Sequence, residues 1–169
     1  IPRTKVDIAF AGDLQAQCTA SNYTMRELGA PFAGVYGACS TMAETLGLAA
    51  AFAASGMAER AMALTSSHFC AAERQFRTPL EYGAKRTPTA QWTATAAGAC
   101  LVRAHGGQGV PVLSVTFGRV QDFEVHDINN MGAAMMPAAA STLLRYFAAT
   151  NTRPQDFDAI FTGDLGEVG

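Results

Sequence analysis

The chain has 169 residues and a mass of 17.7 kDa, which suits one globular domain or two small lobes around a shared core. Hydrophobic residues at 49% against charged residues at 15% exclude global disorder. A net charge of −2 and a pI near 5.9 exclude a broad basic surface for a nucleic-acid backbone.

The 33 alanines and 16 glycines let elements approach closely and predict a layered α/β core. Residues 6–10 are a short apolar run that predicts a buried strand ending at Gly12-Asp13. Residues 21–28 predict a helix stopped by Gly29-Ala30-Pro31. Residues 32–38 predict a second strand, its glycines marking close backbone approach. Residues 40–55 give the clearest helix, alanine- and leucine-rich, with Glu44 its single charge and Gly56 at its stop. A helix apolar all round is buried on several sides. Residues 60–65 predict a third strand.

The character changes over residues 66–91, which carry His68, Glu73, Arg74, Arg77, Glu81, Lys85 and Arg86. They predict a long excursion with one short helix over 70–76, and loops of that length inside compact domains are usually functional. Residues 92–102 and 110–120 predict two strands joined by a glycine-rich turn at 105–109. Residues 131–136 form a small-residue segment ending at Pro137. Residues 138–150 predict an amphipathic helix with Leu143, Leu144 and Phe147 on one side. Residues 157–162 predict a last strand running into Gly163-Asp164.

Residues 45–58 are the nearest approach to an apolar span, but they are short and broken by glycines, so a buried helix is expected rather than a membrane crossing. No basic segment followed by an apolar run marks a secretory signal. Ile1 at the start and the unfinished phrase at Gly169 predict a piece of a longer protein. Cys18, Cys39, Cys70 and Cys100 are scattered without a Cys-x-x-Cys pair, which argues against zinc and a disulfide framework and favours a reducing compartment.

The densest chemical signal is Gly37-Ala38-Cys39-Ser40-Thr41. A strand delivers Cys39 to the first turn of the 40–55 helix. The N–H groups and partial positive charge of a helix start favour thiolate and can hold an oxyanion or carboxylate. Cys39 is therefore a candidate acyl-accepting nucleophile, set against the reading that it is a small buried apolar residue. His68 lies at a strand end, the edge where α/β folds place ligand groups, or is a structural histidine bonded to backbone. His126 between Glu124 and Asp127 is a weak metal pattern, and a solvated loop explains it better.

The Cys39 segment with its alanine-rich helix resembles the nucleophile segment of the thiolase-like superfamily. Further phrases narrow the resemblance: Thr65-Ser66-Ser67-His68-Phe69, the run Ala72-Glu73-Arg74-Gln75-Phe76-Arg77-Thr78-Pro79-Leu80-Glu81-Tyr82-Gly83, and Pro88-Thr89-Ala90-Gln91-Trp92-Thr93. Asn129-Asn130-Met131-Gly132-Ala133-Ala134-Met135 and Thr162-Gly163-Asp164-Leu165-Gly166 complete them. Together they resemble the stage V sporulation protein AD family of spore-forming bacteria, over nearly the whole chain.

The resemblance implies a thiolase-like layered α/β fold of two similar halves, with residues 1–121 in the first half and 122–169 opening a truncated second. It implies binding of dipicolinic acid (pyridine-2,6-dicarboxylate) and a part in its uptake into the developing spore. Implied partners are other stage V sporulation membrane proteins and a second copy in a homodimer. The implied location is peripheral, at the cytoplasmic side of the forespore inner membrane. No cofactor, metal or nucleic acid is implied.

Ligand-binding candidates under this resemblance are Cys39, Ser40, His68, Arg74, Arg77 and Asp164. Arginine forks suit a rigid dicarboxylate, although surface pairing or a dimer contact also accounts for the cationic excursion. Thiolase-like enzymes place a histidine after the strand where this chain has Asp164. A carboxylate cannot replace an imidazole in Claisen chemistry near neutral pH, and beside Cys39 it raises the thiol pKa. The expectation is a binding pocket of enzyme ancestry. The alternatives are an active acyltransferase or ketoacyl synthase using Cys39, and a structural subunit bridging membrane partners.

Overall fold

In a computed structural model, which describes residues 5–76 and 86–165, the chain divides into two compact units. The first comprises Ile1–Tyr82 with Thr93–Val115, and the second Gly83–Trp92 with Thr116–Gly169.

The first unit is built on β1 (Ile8–Asp13), β2 (Phe32–Gly34), β3 (Arg60–Ser67) and β4 (Ala96–Arg103), ordered β2-β1-β3-β4. The first three strands run parallel and β4 runs antiparallel beside β3, so the sheet is mixed. Alternation along the strands builds two faces. Ile8, Phe10, Ala61 and Ala63 turn to helix α2 (Thr41–Ala54), where they pack with Leu46, Ala49 and Phe52. Ala9, Met62 and Leu64 turn the other way, to Met25 and Leu28 of α1 (Thr19–Leu28). The result is an α/β layering with one helix on each face. The fully buried alanines at 49, 61 and 63 let α2 lie close to the sheet, and Phe10 meets Phe52 edge to face at 4.8 Å.

Local chemistry sets the ends of these elements. Gly29, at φ 66°, closes α1 by giving its N–H to Met25. The Asp7 carboxylate accepts the N–H groups of Glu59 and Arg60 at 2.9 and 2.8 Å and so anchors the start of β3. β1 and β3 run longer than the sequence predicts, because Asp13 and Ser66 still pair across the sheet. β2 is shorter than predicted, since the chain turns at Gly37 into a 3-10 turn, Ala38–Ser40, that leads into α2. A short helix α3 (Phe69–Phe76) follows β3.

The strand expected over 110–120 does not form. Val110 and Leu113 are 93% and 89% exposed, and no described strand pairs with this stretch. Its alternation suits a half-buried strand, but a strand exists only where a partner takes its N–H and C=O groups. The strand expected over 157–162 is likewise unpaired, with Phe161 92% exposed.

In the second unit, α4 (Met131–Thr150) is one helix rather than a segment ending at Pro137. The Asn130 side chain accepts the Ala133 N–H at 3.1 Å and starts the helix, and Pro137 then removes only one backbone bond from the second turn. Tyr146, Phe147 and Phe157 form an aromatic cluster with centroids 5.8–6.0 Å apart. Leu144, placed by periodicity on the apolar side, is exposed.

Candidate functional site

The C-terminal edge of the parallel strands holds a hollow of about 220 Å³ in the first unit. One wall is the turn carrying Ala38 and Cys39, with Met42 of α2 behind it. The other is the end of β3, Thr65-Ser66-Ser67, with the start of β4 beside it. This is the edge where parallel α/β sheets place ligands.

The turn at Cys39 is held by side chains that the sequence supplies in a row. Thr41 is fully buried; its Oγ1 donates to the Ala38 carbonyl at 2.8 Å and accepts the Gly37 N–H at 3.2 Å. Ser40 Oγ donates to the Gly37 carbonyl at 2.8 Å. Ala38 sits at φ 49°, the left-handed region that costs an L-residue about 1–2 kcal/mol. A Cβ at Gly37 would overlap Ser40 Oγ and lie 2.7 Å from Glu44 Oε2, so a larger residue here would have to displace these two side chains. The outcome is a tightly determined turn that presents Cys39, exposed, at the mouth of the hollow.

The 3-10 turn alters the expected anion site. The N–H groups of Ser40 and Thr41 are taken by the carbonyls of Gly37 and Ala38. Part of the helix-start donor set is therefore spent locally, and Glu44 in the first turn of α2 already answers the helix dipole.

Two acidic groups lie near the hollow. Asp13 is 3% exposed; its Oδ1 accepts the Ser66 hydroxyl at 2.5 Å and the Ser21 hydroxyl at 3.3 Å. Asp13 Oδ2 and Glu44 Oε2 are buried with no hydrogen-bond partner among the described residues. Cys18 feels both charges. Its thiol pKa is raised by burial first and then by the charge of Asp13, with a smaller push from Glu44, against a hydrogen bond that lowers it. Cys18 Sγ donates to the Val35 carbonyl at 3.3 Å, so this cysteine is held as a thiol. No disulfide joins the four cysteines.

Of the residues singled out in the sequence, Cys39 and Ser40 share the turn, and Cys39 lines the hollow. His68 is exposed, one residue past the lining Ser67. Arg74 is exposed in the last turn of α3 and does not line the hollow. Arg77 lies outside the described residues. Asp164 belongs to the second unit, where its backbone carbonyl accepts from Gln91 Nε2. The sequence reading missed Ser66, Ser67 and Asp13. The signal was present, since parallel strands end at one edge and Asp13 and Ser66 follow the apolar parts of β1 and β3.

Among the described residues no group of three or more His, Cys, Asp or Glu side chains is placed to hold a metal ion. The acids near His126 serve turns instead: Asp122 accepts the Glu124 N–H and Asp127 the Asn129 N–H. No described helix is long and apolar enough to cross a membrane.

A family model described as stage V sporulation protein AD (SpoVAD) matches residues 1–169. Stage V sporulation protein AD of Bacillus subtilis (strain 168) is 43% identical over 169 residues, which is 100% of this chain and 50% of that protein. The chain thus spans half the length of the curated relative it matches. Among solved structures, 3-oxoacyl-[acyl-carrier-protein] synthase III from Aquifex aeolicus VF5 overlays with a TM-score of 0.44 at 15% identity, covering 64% of this chain and 34% of that one. With the whole chain inside the family model and 43% identity to a curated member, this protein belongs to the stage V sporulation protein AD family.

Proposed function

We propose that the hollow beside Cys39 is a binding site for dipicolinic acid, and that the protein takes part in moving this dicarboxylate into the developing spore. The observation that carries the reading is an exposed Cys39 on a tightly held turn at the head of a buried helix, opening on a cavity, in a sporulation-family chain. The helix start contributes about 0.3–2 kcal/mol to anion binding, too little to hold a dianion by itself. Cationic side chains carry the remainder; Arg74 and Arg77 are the candidates from the resemblance, although Arg74 does not line the hollow, while His68 lies one residue past the lining Ser67. Residues 1–121 and 122–169 form parts of two thiolase-like halves in this reading. Asp164 stands where condensing enzymes use histidine, so binding has replaced carbon–carbon bond formation. The whole protein acts as a homodimer at the cytoplasmic face of the forespore inner membrane, together with other stage V membrane proteins.

Calorimetric titration of the full-length protein with dipicolinate tests this. Cys39→Trp fills the mouth of the hollow and abolishes binding, whereas Cys39→Ala keeps most of the affinity because no covalent bond forms. Equal, wild-type affinity in both variants places the site elsewhere.

A second reading is favoured by the same turn. An exposed cysteine held at a helix start is how acyl-accepting nucleophiles are presented. In that case incubation with acyl-CoA leaves an acyl adduct on Cys39 and yields a condensation product. The binding reading predicts neither.

A further inference from the structure

Nothing in the fold requires glycine at position 98. Gly98 lies inside β4, where glycine loses more chain entropy than alanine and adds no side-chain packing. A glycine stays in a strand for a left-handed backbone, for a neighbour that leaves no room for a Cβ, or for a ligand that comes close. Gly98 does not have a positive φ, and a Cβ built on it meets no atom within 4 Å. The other two glycines in the described strands differ. A Cβ on Gly12 would overlap the Val35 carbonyl and lie 2.6 Å from Thr41 Cγ2, and one on Gly34 would come to 3.3 Å from Phe32 Cζ.

The register shows where the bare position faces. Gly12, Thr65 and Gly98 stand side by side across β1, β3 and β4, on one face of the sheet. At Gly12 that face is covered by Thr41, the first residue of α2. At Gly98 nothing covers it, and Gly98 lines the hollow with Thr65, Cys39 and Met42. Ala96, two residues away and so on the same face, lines it as well. This side of the hollow is close to bare backbone.

We propose that Gly98 determines the specificity of the hollow: its missing side chain leaves the room in which a flat, apolar ring face lies against β4 beside Cys39. The walls suit such a group, since Leu14, Ala38 and Met42 are apolar and no charged side chain among the described residues lines the hollow. The inference deepens the proposed function and rests on it for the natural ligand alone. In dipicolinate, the pyridine ring takes this place.

The test is made in the full-length protein with two readouts, of which the first needs no natural ligand. Rates of Cys39 modification by N-phenylmaleimide and N-methylmaleimide are read by mass spectrometry of the Cys39 peptide, and their ratio is normalised to the same ratio for glutathione. The wild type favours the phenyl reagent about tenfold, the rate equivalent of burying roughly 55 Å² of apolar surface. Gly98→Leu fills the room and removes that preference, and Gly98→Ala lowers it in part. Ala99→Leu, on the same strand but facing the opposite side with its partner Leu64, leaves it unchanged. Urea midpoints separate bulk from folding: Gly98→Ala unfolds at no lower urea concentration than wild type, because its Cβ clashes with nothing. The second readout is calorimetry with dipicolinate, whose affinity falls in Gly98→Leu by a similar factor. Wild-type dipicolinate affinity in Gly98→Leu, with the phenyl preference lost, supports the role of Gly98 and removes dipicolinate from the hollow. A wild type without the phenyl preference, a preference that survives in Gly98→Leu, or a lowered urea midpoint in Gly98→Ala overturns the proposal.

Discussion

Thr41 makes a quantitative test of how the site is held. Its buried hydroxyl bridges the Ala38 carbonyl and the Gly37 N–H, and its Cγ2 lies under Gly12. Thr41→Val keeps the shape and removes the hydroxyl. The Ala38 carbonyl still accepts the Thr41 N–H, so the stranded group is the Gly37 N–H. Gly37 is only half-buried, which puts the cost at about 1–2 kcal/mol, toward the low end for an unsatisfied buried donor. Thr41→Ser keeps both hydrogen bonds and removes one methyl, at about 0.8 kcal/mol. The two variants therefore lose similar stability for different reasons. Urea unfolding of the full-length protein measures the loss, and alkylation of Cys39 separates the causes. Thr41→Val releases the turn and changes the Cys39 rate, whereas Thr41→Ser leaves it near wild type. A Thr41→Val protein with wild-type stability and an unchanged Cys39 rate refutes the bridging role.

Three further outcomes follow from particular contacts. Gly12→Ala pushes a Cβ into the Val35 carbonyl and to 2.6 Å from Thr41 Cγ2, and overpacking against backbone costs about 1–3 kcal/mol in thermal or urea unfolding. The raised pKa of Cys18 means that the folded state holds this proton more tightly than the unfolded chain does. Its contribution to stability is complete below the unfolded value of 9.0 and is lost as pH rises through the folded pKa, so Cys18→Ser flattens the alkaline fall in stability without removing the donor to Val35. Phe10→Ala, which leaves Phe52 without its edge-to-face partner, costs about 3–5 kcal/mol, and circular dichroism melts read the loss.

The parallel core was legible because its signals are local. The apolar run ending at Gly12-Asp13, Gly29 as a helix stop and the alanine-rich helix before Gly56 each state their own structure. The stretch over 110–120 misled because alternation reports only that one face wants burial, whereas pairing needs a partner strand. Pro137 misled because a good N-cap at Asn130 offsets one missing backbone bond. Cys39 stood out through its place between a strand and a helix. Asp13 and Ser66 stood 53 residues apart, and only the register of β1 against β3 brings them together.

The most direct measurement is a crystal structure of the full-length protein grown with dipicolinate. The expected result is dipicolinate in the hollow, in contact with Cys39. Dipicolinate bound away from this hollow, with the hollow itself holding only water, would contradict it.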